Sequence, residues 1–211
     1  MKLYPVDHRE LIEALRNIEG NNDVSKSRSQ PSWSALHWFA VSSSMTDAEA
    51  QAHVLKGLDP SQQNDAGDTP LHLAAWQRNA QKVEWLLALG ADPAKTNKKG
   101  NLPCHQAMRR QHAPLAGRLM EGVDLGWEDH NGLNAIGHWV TAFGQNLTGL
   151  PDKESDLGRM WVKLRACDRG PWRRWEKALP GAMLADLRSH RLEALMEKMP
   201  QTTVAKKRQR L

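Results

Sequence analysis

The chain has 211 residues, a formal net charge of +5 and 25% charged residues. No stretch approaches the roughly 20 apolar residues that span a bilayer, and residues 1–8 lack the apolar run of a secretion signal, which makes a cytoplasmic protein the expectation. Two cysteines, Cys104 and Cys167, cannot build a disulfide framework.

Asp7 stands three residues before Glu10, a capping-box spacing, and Leu11, Leu15 and Ile18 share a helical face that Gly20 closes. This predicts a capping helix over 1–20. Residues 21–31 are polar and aperiodic and read as a linker. From residue 32 the pattern changes. Thr69, Pro70, Leu71 and His72 open a helix, because Thr accepts from a free first-turn amide and Pro needs no donor there. Ala74 and Ala75 permit close helix approach, and Gly90 stands where a second helix must end in a left-handed residue. Asn64 and Gly67 return 33 residues later as Asn97 and Gly100.

Flanking stretches repeat this plan less faithfully. Upstream, Leu36 and His37 align with Leu71 and His72, and Gly57 with Gly90. Downstream, Pro103, Cys104 and His105 repeat the opening and Gly122 the close, while Asp129 starts a fourth unit in which Gly137 replaces the histidine. These residues resemble ankyrin repeats, about 32–64, 65–97 and 98–129 with a partial unit at 130–150, so that 32–138 forms the array. The resemblance implies an all-α fold, a helix-turn-helix solenoid with an N-terminal capping helix and a C-terminal helical extension.

In that extension, 151–200, Leu157, Trp161, Leu164 and Arg165 follow helical spacing, and Leu184, Leu187, Leu195 and Met199 share a side of a second helix. Residues 201–211 form a basic tail that reads as mobile and resembles a nuclear entry signal. Terminal repeats need covered outer faces, and the end segments supply that cover. Trp38 and Trp85 fall at core positions, while Trp127 and Trp139 are expected to seal the fourth unit against the extension.

Charge divides the chain. Up to Asn97 there are 9 Lys and Arg against 12 Asp and Glu; from Lys98 onward there are 20 against 12. The ankyrin resemblance places contact residues at hairpin tips and on the open side of each first helix. Here these are Trp33, Asp65, Asp68, Trp76, Gln77, Lys98, Lys99, Asn101, Arg109 and Arg110. Exposed Trp and Arg offer large contacts at modest ordering cost, so a protein partner with an acidic patch is implied.

No phosphate loop, nucleophile elbow or zinc spacing occurs, and the nine histidines include the repeated His37, His72 and His105. The reading is a non-enzymatic adaptor, effector or inhibitor without metal, cofactor or membrane partner. The alternative is nucleic-acid binding through the basic half, where Arg169, Trp172, Arg173, Arg174 and Trp175 interleave charge with stacking surfaces.

Overall fold

The computed structural model describes residues 9–10, 12–14, 32–42, 45–144, 147–167 and 175–198. Residues 9–10 and 12–14 are helical. The linker 21–31, the tail 201–211, most of the 1–20 segment, and Arg169, Trp172, Arg173 and Arg174 lie outside the described residues.

Three helix pairs open the described fold: α1 (Ala35–Val41) with α2 (Asp47–Leu55), α3 (Pro70–Trp76) with α4 (Ala80–Ala88), and α5 (Pro103–Arg109) with α6 (Ala113–Leu119). A fourth first helix, α7, spans Ala135–Phe143. The described residues are all-helical, and α1, α3, α5 and α7 pack side by side as successive steps of a helix-turn-helix solenoid. The seven-residue helices α1, α3 and α5 are too short to persist alone. They are held by burial of Leu36, Leu71, Met108 and Ile136, and by Ala74, Ala75 and Ala107, whose small side chains are fully buried between neighbours.

Side chains mark the helix starts. Asn79 Oδ1 accepts from the Lys82 amide at 3.1 Å and Asn134 Oδ1 from the Gly137 amide at 3.0 Å, each satisfying a first-turn donor. Second helices end alike: Gly57, Gly90 and Gly122 have φ of 94°, 94° and 74°, the left-handed region that a Cβ makes costly. Between the two helices of a unit the chain makes the same demand at Arg78 (φ 61°) and Gln111 (φ 55°), where no glycine stands. The Lys82 ammonium binds the carbonyl oxygens of Phe39 and Ser42, closing the end of α1 from the following unit.

The extension is more integral than a separate cap. Helix α8 (Asp156–Arg165) packs against α6, and Lys163 Nζ donates to the Gly117 carbonyl at 2.9 Å. It thereby continues the second helical layer beyond the third pair, and Trp161 reaches α7 with its ring 5.6 Å from that of fully buried Trp139. A 3-10 turn, Glu176–Ala178, leads into α9 (Gly181–Lys198). Asp186 of α9 accepts from Trp161 Nε1 at 2.7 Å and from Arg165 at 2.7 Å, joining α8 to α9.

Two tryptophans and one leucine depart from expectation. Trp85 is buried, but Trp38 is only half-buried and lies 4.8 Å from the Trp33 ring. Trp127 is exposed and donates to the Gly100 carbonyl at 2.8 Å, so it braces the third hairpin and seals nothing. On α9 only the first half packs: Met183 and Leu187 are buried, while Leu195 shares an exposed surface with Leu192 and Met196.

Candidate partner-binding groove

The turns that precede the first helices are built identically. Asn64 Oδ1 accepts the amides of Ala66 and Asp68, both at 2.9 Å; Asn97 Oδ1 those of Lys99 and Asn101 at 3.0 Å; Asp129 Oδ1 those of Asn131 and Leu133 at 2.8 and 2.9 Å. Each turn is pinned to the next, Lys98 N donating to Ala66 O at 3.1 Å and His130 N to Lys99 O at 3.0 Å. Gly67 and Gly100 are required because a Cβ would meet backbone of the next turn at 2.5 and 3.1 Å. The fourth turn is thus fully formed.

Behind the turns runs a line of histidines. His37 Nε2 donates to Asp68 O and His72 Nε2 to Asn101 O, both at 2.9 Å, while their Nδ1 atoms accept from the Ser34 and Thr69 amides at 3.0 and 3.2 Å. This pairing requires neutral rings with the proton on Nε2, and burial lowers the pKa of both. His105 repeats the position but its Nε2 has no partner. Its ring stacks 4.3 Å from that of His138, whose Nε2 meets Asp129 Oδ2 at 3.1 Å. Burial, reinforced by His138, drives His105 down to about 3. In the His138–Asp129 pair burial outweighs the carboxylate and keeps the imidazole pKa low; burial works against Asp129 ionisation, but the amides of Leu133 and Asn131 with His138 hold its pKa below the usual value.

A family profile described as ankyrin repeats (3 copies) matches residues 5–97. Residues 5–97 belong to the ankyrin-repeat family. No curated protein matches the chain. The ankyrin match begins ahead of Trp33 and stops at Asn97, which opens a further asparagine-type turn, and a buried histidine and a left-handed glycine recur beyond it at His105 and Gly122. Ankyrin repeats generally mediate protein–protein interaction, and the family is typically non-catalytic. Among the described residues no group of His, Cys, Asp and Glu could hold a metal ion, and no helix is long and apolar enough to cross a membrane.

Along the open side of this helical stack lies a groove of about 290 Å³ lined by Asp68, Trp76, Lys99, Gln106 and Arg109 among others. Trp76 is 39% exposed and lies under two cations: the guanidinium carbons of Arg109 and Arg110 stand 5.7 and 4.9 Å from its ring. Contacts of this kind are worth about 0.5–1 kcal/mol when exposed and more when a partner excludes water. Asp68 accepts from Asn97 Nδ2 at 2.7 Å, which fixes the carboxylate at the groove edge.

Four of the ten contact residues read from sequence therefore line one groove, and Arg110 adjoins it through Trp76. Asp65, Gln77 and Lys98 are exposed on its flanks, and half-buried Trp33 leans on Trp38 in the first unit. Asn101 is a correction: it is fully buried beneath the turn, its backbone carbonyl meeting His72, so it does not stand exposed on the rim with the other contact residues. Trp175 is a second. It packs against the core at Gly137 instead of forming an open stacking surface.

The sequence reading missed the fourth turn's share. A second depression, of about 520 Å³, is lined by Lys99, Arg109, His130, Asn131, Thr141 and others. The equivalence of Asp129 to Asn97 was the signal that could have revealed it.

Proposed function

We propose that this chain is a non-catalytic adaptor, effector or inhibitor of the cytoplasm that holds a protein partner in the groove between its turns and first helices. An acidic patch of the partner faces Lys99, Arg109 and Arg110. The observation that carries this reading is the half-open Trp76 indole held under Arg109 and Arg110, on a surface where, among the described residues, none of these three cations has an ion-pair partner. Ordered aromatic and arginine side chains lose little freedom on binding, and unpaired cations leave their charge available.

The same reading takes the array as 32–138, continuing past the matched segment through 98–129 and a partial unit at 130–150, with 151–200 as its cover. The recurrence of turn, histidine and glycine supports it, as does the packing of α8 on α6.

The test is capture of the native partner from its own cell by immobilised protein, read by mass spectrometry. Trp76→Ala and the double change Arg109→Glu/Arg110→Glu should each abolish capture while leaving the helical spectrum intact. Unchanged capture by both variants removes the groove from consideration.

A further inference from the structure

The two depressions share a rim. Lys99 and Arg109 line both, so the groove beside Trp76 adjoins, across these cations, the depression lined by His130, Asn131 and Thr141 on the fourth unit. Asn101 contributes to the lining of the second depression. It is fully buried, and neither its Nδ2 nor its Oδ1 has a hydrogen-bond partner. A buried primary amide with both ends unused destabilises the fold unless something binds it. Its neighbour in the same lining, Asp129, is the opposite case: Oδ1 takes two backbone amides and Oδ2 meets His138, so its oxygens are already engaged inside the fold.

We propose that this junction is a carboxylate-binding subsite, in which a Glu or Asp side chain of an extended partner segment enters between Lys99 and Arg109 with the Asn101 amide beneath it. The inference rests on the groove reading above and names the chemistry that the groove selects. Arg109 can present paired N–H donors to a carboxylate, Lys99 adds a point charge, and Asn101 Nδ2 supplies a neutral donor. A single negative charge suits the place better than a phosphate dianion, because the carboxylates of Asp68 and Asp129 stand in the walls of the two depressions and repel a second charge.

The experiment measures fluorescence anisotropy of a labelled peptide of alternating glutamate and glycine, at low salt, with the full chain. The peptide should bind the wild-type protein, and its glutamine counterpart should not. Lys99→Gln and Arg109→Gln should each weaken binding by roughly tenfold, the loss of one close charge contact. Lys98→Gln removes the same charge from the adjacent exposed residue, which lines neither depression, and should weaken binding less than Lys99→Gln does, because only through-solvent attraction is lost and no direct contact to the carboxylate. All three positions are exposed, so these variants fold. Equal losses in Lys98→Gln and Lys99→Gln would replace the subsite with diffuse attraction and overturn the proposal. Displacement of the peptide by inorganic phosphate at lower concentration than by acetate also overturns it. If the wild type ignores the peptide yet captures its native partner in a manner lost in Trp76→Ala, the groove reading stands and the subsite falls.

Discussion

The indole of Trp175 lies against the α-carbon of Gly137: a methyl group placed on Gly137 would sit 2.6 Å from Trp175 Cζ2 and 2.9 Å from Cε2. The glycine that breaks the repeat pattern at the fourth unit is the seat for a ring from the extension. Its place in the fold is therefore a packing requirement, set by a residue far along the chain.

Gly137→Ala tests this. In a solvated helix the change would stabilise by nearly 1 kcal/mol, but here the ring must move, and a net loss of about 1–3 kcal/mol is expected from overpacking. Urea unfolding of Gly137→Ala, Trp175→Ala and the double variant should show coupling, with the alanine at 137 tolerated once the indole is gone. Additive losses would separate the two residues.

Arg78 adopts φ 61° without being glycine, whereas Gly90 adopts φ 94° in open space, with no atom within 4 Å of the position a β-carbon would take. Arg78→Gly should raise stability by up to about 1 kcal/mol, the strain relieved being partly offset by a freer unfolded chain. Gly90→Ala should lower it by about 1 kcal/mol through backbone strain alone. Thermal unfolding in opposite directions for the two variants is the readout.

Acid should unfold the stack through its histidines. His37, His72, His105 and His138 all have folded pKa values lowered, mainly by burial, His105 to about 3. A depressed folded value means that the unfolded chain binds protons first, so the stability these rings contribute is present above the ordinary value of 6.5 and declines as pH falls below it. For His105 the decline extends to about pH 3, at up to about 1.4 kcal/mol per pH unit for each ring that stays neutral. Urea midpoints measured at pH 7.5, 6 and 5 should fall in that order, and His105→Gln should flatten the slope. A flat profile would contradict the burial of these rings.

Cys104 is fully buried and its thiol is pushed up to about 12 by burial, whereas Cys167 is half-buried. A thiol-specific reagent at pH 8 should label Cys167 in the native protein and Cys104 only after denaturation, because the thiolate is the reacting form. Two fast labelling events in native buffer would place Cys104 at the surface.

Much of the fold was written locally. Thr69, Pro70 and Gly90 each answer a requirement of their own helix end, and the alanines at 74 and 75 answer the close approach of neighbouring helices, so their spacing announces the solenoid within one repeat length. The groove was legible at Trp76, Arg109 and Arg110 because residues one repeat apart are neighbours in a stack. Asn101 was misread since its exposure depends on the reach of His72 from the preceding unit. Helix α8 was invisible as part of the second layer, because the 144–155 segment separates it from α7 and no repeat spacing survives across that gap.

The sequence by itself determined the repeating helix pairs, their turns, their buried histidines and the cationic bias of the later units, since each follows from contacts within one repeat length. Tertiary structure alone decided that Trp175 occupies the space over Gly137, that α8 completes the layer started by α2, α4 and α6, and that Lys99 and Arg109 stand on the rim of two adjoining depressions. These depend on side chains from separate elements meeting across a packed surface, and close packing is a property of the assembled chain that no single segment carries.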